Sequence, residues 1–443
     1  MAERLRLFSW RDVVFVALPS LLLAALAFWL AAQFVKPAPP GHLVLATGGE
    51  GGAYQRFGAL YKDVLVRYGI QLEAQPSAGS VDNLKRLRDR SIALDAAFIQ
   101  GGTAPPQEGD KLVSLGDLYY EPLWVFYRPG VVRNGKSGQE DDRVLDLKGR
   151  RVAIGESGSG THYLALEILA ANGLDAKNTQ LIESGGFDVA ARLQSGELDA
   201  VFVVGPTQSA LVWALLYTPG VHLMSLAHAE AYTRRFPYLT HLVLPRGAID
   251  LTQDIPAHDV QLVSTTATLL AREDTHPALV WLLLQAAHDV HGEPGVFQKP
   301  GEFPRASHGD FPLAQEAERF YTSGKPFLQR YLPFWAAIWV DRLVVLLVPL
   351  LVVLYPLLKM APGLYGWRVR SRIYRRYGEL KFLESEVEEN PSRHSRDAWL
   401  EKLDAIEADA SRIRTPLAFA DMLYTLRQHI GLVRETILKR TAG

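Results

Sequence analysis

Short apolar runs alternate with amphipathic stretches between residue 41 and about residue 330. Such alternation of strand and helix patterns is typical of an α/β fold. Strands are predicted at Leu43–Ala46, Gln71–Ala74, Ala96–Ile99, Leu123–Tyr127, Arg151–Ile154, Asn178–Ile182, Ala200–Val204 and His222–Ser225. Helices are predicted to begin near Ala53, Ser80, Thr161, Phe187, Thr207, Ala227, Pro277 and Pro312.

This alternating region is predicted to form two lobes. Leu123–Tyr127 ends the first α/β unit, and the polar segment Gly130–Asp142 connects it to a second unit that starts at Arg151–Gly155. Val260–Thr266 is a later strand that could return the chain to the first lobe. Lobe 1 is therefore expected at about 41–127 and 259–330, and lobe 2 at about 128–258. Two such lobes leave a cleft between the carboxyl ends of their sheets.

Two long apolar segments flank the lobes. Val13–Val35 carries no charge and is long enough to cross a hydrocarbon core of about 30 Å. A cleavable signal peptide is the alternative, but the small-residue pattern Ala25–Ala27 lies inside the apolar run, which favours an uncleaved anchor. The second segment is Phe334–Met360, with Asp341 and Arg342 near its start, where they are expected to lie at the membrane interface or to contact a partner subunit.

Basic residues precede the first apolar segment and follow the second. Basic residues next to a membrane span favour the cytoplasmic side. They are Arg4, Arg6, Arg11, Arg368, Arg370, Arg372, Arg375, Arg376 and Lys381. The prediction is a bacterial inner-membrane protein with two spans and both termini in the cytoplasm. Its parts are a cytoplasmic N-terminus at 1–12, transmembrane helices at 13–35 and 334–360, a periplasmic two-lobed domain at 36–333, and a helical tail at 361–443.

Composition excludes several classes of function. With 47 basic and 48 acidic residues the formal net charge is −1, which argues against broad electrostatic binding of nucleic acid. The chain has no cysteine, so disulfides, thiolate metal sites and cysteine nucleophiles are excluded. His288 and His291 could share a helix face, but no third metal ligand is near in sequence.

The first glycine cluster, Thr47–Tyr54, directly follows a predicted strand and opens a helix. Its glycines let the backbone turn tightly and approach a ligand, while the helix that follows offers free N–H groups. The spacing is not that of a dinucleotide-binding fingerprint. A tight strand-to-helix turn without a ligand is the alternative interpretation.

The second glycine cluster, Gly155–Thr161, also lies between a strand and a helix. Its three hydroxyl groups and the N-terminal amides suit an oxyanion such as a carboxylate. Plain helix capping is the alternative, and a serine nucleophile is a weaker one, because Ser159 occupies the last glycine position of the GxSxG pattern. Gly130–Ser137 matches the Walker A spacing, but the acidic segment that follows it does not read as a helix.

The two clusters and the segments between them resemble the TAXI family of solute receptors, which serve tripartite ATP-independent periplasmic (TRAP) transporters. The resemblance covers about 41–330. It is based on the order and spacing of several motifs and not on a single one. The motifs are LATGGEGGAYQRFG at 45–58, PSAGSVDNLKRL at 76–87, DAAFIQ at 95–100, LYYEPLWVFYR at 118–128, DLKGRRVAIGESGSGTHYLALEIL at 146–169 and LQSGELDAVFVVGP at 193–206.

The resemblance implies a type II periplasmic-binding-protein fold that closes on a small organic anion, a carboxylate or an acidic amino acid. It also implies a membrane permease as partner, and neither enzymatic activity nor a cofactor. The implied ligand contacts are Gly49, Glu50, Tyr54, Ser80, Asn83, Gln100, Tyr120, Glu121, Ser157, Gly158, Ser159, Gly160, Thr161 and Gly205. Glu50 departs from the small hydroxyl residue of many relatives and would oppose an anion unless it binds a ligand ammonium group.

Two further departures keep a second hypothesis open. Members of the family are typically released from the membrane or tethered by lipid, whereas two spans and the tail at 361–443 are predicted for this chain. The alternative to a transport receptor is therefore a two-span sensor that passes ligand-driven closure to the tail.

Overall fold

The chain divides into two units, Ala38–Trp335 and the pair of segments Met1–Pro37 and Ala336–Gly443. The computed structural model describes residues 10–34, 38–103, 106–132, 143–306, 309–324, 327–413 and 415–441. The polar connection at 130–142 and the Walker-like match lie largely outside these described residues, which omit 133–142.

The unit Ala38–Trp335 is built on one ten-stranded sheet, so the predicted α/β fold is confirmed. Its strand order is β2-β1-β3-β10-β4-β7-β5-β6, with β8 on β4 and β9 on β10. The strands are β1 His42–Ala46, β2 Gln71–Gln75, β3 Ala96–Gln100, β4 Leu112–Tyr127, β5 Arg151–Ala153, β6 Gln180–Ile182, β7 Ala200–Val204, β8 His222–Leu223, β9 Thr240–Leu244 and β10 Val260–Arg272.

The helices begin within three residues of the predicted starts in this unit. They are α2 Ala53–Val66, α3 Ser80–Arg88, α4 Gly160–Ala171, α5 Asp188–Gln194, α6 Ala210–Leu216, α7 Ala229–Arg235, α8 Pro277–His291 and α9 Gln315–Ser323. The remaining helices are α1 Trp10–Gln33, α10 Phe334–Glu389, α11 Arg396–Ser411 and α12 Ala420–Arg440.

Two long antiparallel strands, β4 and β10, run through both halves of the sheet. Near one end β10 pairs with β3, and near the other it pairs with β9. β4 pairs with β10 over most of its length and with β7 at Leu123–Tyr127. We call β1–β3 with α2, α3, α8 and α9 lobe 1, and β5–β9 with α4–α7 lobe 2. The predicted residue boundaries of the lobes stay a prediction, because residue contacts group 38–335 as one unit.

Each lobe has its own apolar core against the sheet. In lobe 1 the core side chains include Leu84 and Ile99, and in lobe 2 they include Phe202 and Ile168. The parallel strands at the centre of each lobe are buried on both faces, as parallel strands flanked by helices should be. Consequently the carboxyl ends of both parallel sheets are where loops meet between the lobes.

Two strand predictions need correction. β4 begins at Leu112, eleven residues before the predicted start, because Gly116 and Asp117 interrupt the apolar pattern although the strand continues through them. β9, at Thr240–Leu244, was missed because it lies beside β10 as a partly exposed strand without a clear apolar alternation.

In the other unit, α10 is a single helix of 56 residues. The predicted span at 334–360 and the first part of the predicted tail belong to this one helix, which runs through Pro362 and Gly363. The end of α10 packs with α11 and α12 around Ile373, Trp399 and Ile430. Among the described residues, α10 alone is long and apolar enough to cross a membrane, and the apolar part of α1 at Ala17–Gln33 is shorter.

Candidate ligand-binding cleft

The first glycine cluster forms the turn between β1 and α2. Gly51 has a φ of +71°, a conformation that L side chains rarely adopt, and a Cβ there would lie 2.8 Å from the Phe187 ring of lobe 2. The amide of Gly51 donates to Gln55 Oε1 at 2.8 Å, and no side chain caps the α2 N-terminus. Glycine is therefore required here both for the turn and for the approach of lobe 2.

The second glycine cluster forms the turn between β5 and α4. Ser159 caps α4: its hydroxyl oxygen accepts from the His162 amide at 3.1 Å, and its hydroxyl donates to the Glu156 carbonyl at 2.6 Å. The Thr161 hydroxyl accepts from the Val204 amide at 3.1 Å, which ties α4 to β7. The Ser159 hydroxyl proton thus points to a backbone carbonyl and not to a general base, and the capping alternative describes what this side chain does here.

The two lobes touch directly at the N-terminus of α3. The amides of Val81 and Asp82 donate to the Gly158 carbonyl at 3.2 and 3.3 Å, and Gln100 Nε2 donates to the Gly160 carbonyl at 3.3 Å. Farther out, Arg56 Nη1 donates to the Gln208 carbonyl at 3.3 Å. The lobes are therefore closed on each other, and the first amides of α3 are occupied by protein.

Beside this contact, both glycine turns line one cavity of about 400 Å³. Phe187 lies across it from Gly51. Its charged lining side chains are two carboxylates, Glu50 and Glu156, both exposed, and no lysine or arginine belongs to the described lining. The side-chain charge of the cavity lining is consequently negative.

Five of the predicted contact residues line this cavity: Gly49, Glu50, Ser159, Thr161 and Gly205. Ser157 and Gly158 face a separate open groove beside the start of α3, and Gly160 faces Gln100. Tyr120 lies elsewhere, because its hydroxyl donates to Glu302 Oε1 at 2.8 Å.

Ser80, Asn83 and Gln100 form a buried polar connection inside lobe 1. Asn83 Nδ2 donates to the carbonyls of Thr47 and Phe98 at 2.6 and 2.8 Å, and the Gln100 amide donates to Ser80 Oγ at 2.7 Å. These bonds hold α3 against β1 and β3, next to the first glycine turn. Contact of these side chains with a ligand stays a prediction.

Tyr54 and Glu121 meet in the interior of lobe 1. The Tyr54 hydroxyl donates to Glu121 Oε2 at 2.9 Å, and Glu121 is only 3% exposed. Burial raises the pKa of Glu121 to about 8, although the hydrogen bond from the Tyr54 hydroxyl lowers it. No Lys, Arg or His of the described residues forms an ion pair with it, so the carboxyl is largely protonated near neutral pH.

Around this pair lie buried polar atoms that sequence reasoning missed. Tyr61 Oη, Tyr119 Oη and His291 Nε2 have no hydrogen-bond partner among the described residues. Burial lowers the pKa of His291 to about 3, and its ring stacks on Tyr119 at 5.0 Å. The helix-face prediction for His288 and His291 does not become a metal site, since the described part of the chain has no group of three metal-ligating side chains.

A second cavity of about 240 Å³ lies along β10, between the end of β3 and a loop of lobe 2. Thr266 and Thr268 of β10 line it together with Arg305 and Tyr238, whose hydroxyl bonds Glu167. Gln100 is the predicted contact residue in its described lining, and the lining residues come from five separated segments, which a local sequence pattern does not bring together.

Two lobes joined by crossing strands, with glycine-rich turns facing each other across a cleft, define a solute-binding protein. This chain belongs to the NMT1-like family, a family of solute-binding proteins whose sequence profile matches residues 45–322. The resemblance to a solute-binding family is thereby confirmed at the level of class.

Several solved structures are similar to it at low identity. A Bordetella bronchiseptica protein is 17% identical over 56% of this chain and 70% of its own, with a TM-score of 0.38. The periplasmic aliphatic sulphonate binding protein SsuA of Escherichia coli is 16% identical over 73% and 84%, with a TM-score of 0.35. The CcmR regulatory domain of Synechocystis PCC6803, in complex with 2-PG, is 13% identical over 56% and 97%, with a TM-score of 0.38.

Proposed function

We propose that this protein is a membrane-anchored periplasmic receptor that captures a small organic acid, an amino acid by preference, for a TRAP-type permease. The observation that carries the proposal is that both glycine-rich turns, one from each lobe, line a single cavity. A ligand in that cavity would contact both lobes and so favour closure, which is how a hinged binding protein couples binding to shape.

The charges around the cavity favour an amino acid over a simple carboxylate. Glu50 and Glu156 would repel a bare anion, but they suit an ammonium group. Backbone amides of the two turns would then receive the ligand carboxylate, as helix N-termini commonly do. A volume of about 400 Å³ holds a molecule of that size together with water.

Membrane anchoring through α10 is supported by the residues at its two ends. The stretch Leu343–Gly366 would be about 36 Å long at about 1.5 Å per residue, enough for the hydrocarbon core. Arg342 lies over the Trp339 ring at 5.8 Å just before it, and Trp367 follows it. Tryptophan and arginine at both ends are typical of membrane interfaces, which places Asp341 at the outer interface and not within the core.

The two-span topology is supported by one contact between α1 and α10. The Arg368 guanidinium lies 4.2 Å from the centre of the Phe15 ring. The start of α1 is therefore level with the end of the apolar part of α10, as expected for antiparallel spans whose basic flanks share the cytoplasmic side.

Ligand-dependent stabilisation of the full chain, measured by thermal unfolding in detergent, tests the proposal. We expect at least one amino acid to raise the unfolding temperature in a saturable way. Glu50→Gln should weaken the apparent affinity for that amino acid about tenfold, because the loss of a charged hydrogen bond costs ~1.4 kcal/mol. Glu108→Gln, a charge change in lobe 1 outside the described cavity lining, is the control. Stabilisation by no amino acid and no small carboxylate would count against the proposal.

A two-span sensor remains the second candidate because α10 continues unbroken into the core of the tail. Truncation after Arg376 separates the two candidates. A transport receptor would still support uptake of its ligand, whereas a sensor would bind the ligand with normal affinity but lose its downstream response.

A further inference from the structure

One face of α10 combines cations with exposed aromatic side chains around the end of the apolar stretch. Lys359 lies about 10 Å before Gly366 along the helix, from where a lysine side chain can extend towards the interface, and the other residues lie beyond Gly366. At about 100° per residue, Lys359, Trp367, Arg370 and Tyr374 fall within about 80° of one another around the helix. Trp367 is 60% exposed and Tyr374 58%, and both cations are exposed. We call these four residues the headgroup face.

The cations of this face have no carboxylate to neutralise them. The sequence contains no Asp or Glu between Arg342 and Gly378. In the described structure neither Lys359 nor Arg370 forms an ion pair; Arg370 Nε donates only to the Gly366 carbonyl, at 3.3 Å. Its other guanidinium N–H groups are therefore available to an external acceptor.

The tail from Arg376 onwards is different, because several of its cations form ion pairs within the bundle. Arg376 Nη2 lies 2.9 Å from Asp409, and Arg434 lies 2.6 Å from Asp404. Lys381 pairs with Glu384 at 3.0 Å. Positive charge without an internal partner is thus concentrated next to the apolar stretch and not spread over the whole tail.

The position of the face along α10 matches the edge of a bilayer. If Leu343–Gly366 fills the hydrocarbon core, Trp367 and Arg370 lie at the depth of the lipid phosphates, where tryptophan and tyrosine are commonly found. Arg368 against Phe15 brings the start of α1 to the same level, and Arg4, Arg6 and Arg11 precede it in sequence.

We propose that the headgroup face binds the phosphate of an anionic phospholipid. Arginine offers several N–H groups in a planar fork that fits a phosphate, and the two aromatic rings contact the glycerol and upper acyl region. Anionic lipids are preferred over zwitterionic ones because no carboxylate balances the cations. The proposal rests on the membrane anchoring by α10 proposed above.

The full-length chain in nanodiscs of phosphatidylcholine with a minor fraction of phosphatidylglycerol provides the test. Lipids that stay bound after release into detergent are identified by native mass spectrometry. We expect phosphatidylglycerol to be enriched over its bulk fraction, and Arg370→Gln to lower that enrichment about fivefold, because one cation near an anionic surface is worth about 1 kcal/mol. Arg427→Gln, at an exposed position of α12, removes the same charge and should leave enrichment unchanged.

The possible failures are distinguishable. A chain that remains soluble without lipid or detergent and does not enter nanodiscs would overturn the anchoring itself. A chain that enters nanodiscs but retains both lipids in their bulk ratio would overturn the headgroup site alone. Equal losses in Arg370→Gln and Arg427→Gln would also overturn it, since the attraction would then be a property of net charge and not of this face.

Discussion

Among the described residues, each lobe buries one carboxyl side chain, and the two carboxyl groups differ in their hydrogen-bond partners and in their charge. Asp199 of lobe 2 is 4% exposed and receives hydrogen bonds from Arg128 Nε at 2.8 Å and from the Arg151 amide at 2.8 Å. Glu121 of lobe 1 is 3% exposed and accepts from the Tyr54 hydroxyl, without a cation. Burial opposes ionisation of both groups, but the two arginines hold the pKa of Asp199 well below its ordinary range.

The contrast follows from what surrounds each group. Asp199 precedes β7 at the amino end of the lobe 2 sheet, on the side away from the cleft, where arginines can reach it and keep their outer ends in water. Glu121 sits on a crossing strand beneath the first glycine turn, packed by Tyr54 of α2. The ion pair of Asp199 thus stabilises the fold of lobe 2, while lobe 1 keeps the neutral carboxyl group of Glu121 close to the first glycine turn.

The two lobes also differ in what they are attached to. Lobe 1 begins at β1, and the residues that open α10 pack against it: Trp335 Nε1 donates to the Tyr68 carbonyl at 2.8 Å, and Phe334 stacks on Trp281. Lobe 2 joins the rest of its unit through the crossing strands β4 and β10. We therefore expect lobe 1 to stay fixed to Phe334 and Trp335, and lobe 2 to move relative to them when the cleft opens.

Removal of the Asp199 carboxylate should give the largest effect. Asp199→Asn leaves two arginines facing a neutral amide, and we expect a loss of about 3 kcal/mol of unfolding free energy, the lower end for a buried ion pair, because both arginines are more than a third exposed. Because the folded pKa of Asp199 is depressed, its contribution is present at neutral pH and is lost as pH falls through the folded value. Chemical unfolding at neutral pH, with the exposed Asp175→Asn as control, measures this; equal stability of the two variants would contradict the role assigned to the ion pair.

Glu121 should produce the opposite pH dependence. Its folded pKa, about 8, is raised, so the folded state holds a proton that the unfolded state releases above about 4.3. Stability should fall as pH rises between these values, by up to about 1.4 kcal/mol per pH unit. Glu121→Gln, which mimics the neutral acid, should remove this slope while changing stability little near pH 5. An unchanged slope in thermal unfolding against pH would show that Glu121 is ionised in the fold.

Local patterns were enough to predict the parts of the site that depend on neighbours in sequence. The two glycine turns follow buried strands and open helices, and positive φ values at Gly51, Gly155 and Gly158 are the physical reason for glycine there. The cavity that the turns share could be expected from two α/β lobes, because the carboxyl ends of parallel strands meet at one edge.

The remainder depends on contacts between distant segments. The carboxyl group of Glu121 is neutral because α2 and β4 exclude water and cations from it. The sequence around Glu121 does not predict this burial. The cavity lining at Gly185–Phe187 comes from a loop without a motif. Pro362 and Gly363 usually end a helix, but α10 runs through both of them, and nothing local in the sequence indicates this.

The contact between the lobes offers the smallest and sharpest test of which lobe moves. Gly160 is the first residue of α4, where alanine suits the helix, but a Cβ there would clash with the Gln100 side chain of lobe 1. Gly160→Ala should therefore wedge the lobes apart while leaving each lobe folded. Because the end of Gln100 can shift, the penalty for closure should be modest, about 1 kcal/mol, which corresponds to about a fivefold shift towards the open form.

Spin labels can report this shift, since the chain has no native cysteine to compete. Cysteines at the exposed positions Lys62 in lobe 1 and Lys177 in lobe 2 would give an interlobe distance that lengthens in Gly160→Ala. Gln100→Ala combined with Gly160→Ala removes the clashing side chain and should restore the shorter distance. A second pair, Lys62 with a label at the exposed Phe327 shortly before α10, should stay unchanged in both variants. Lengthening of that pair would mean that lobe 1 also moves relative to the segment that leads into α10, and the division into a fixed and a moving lobe would fail.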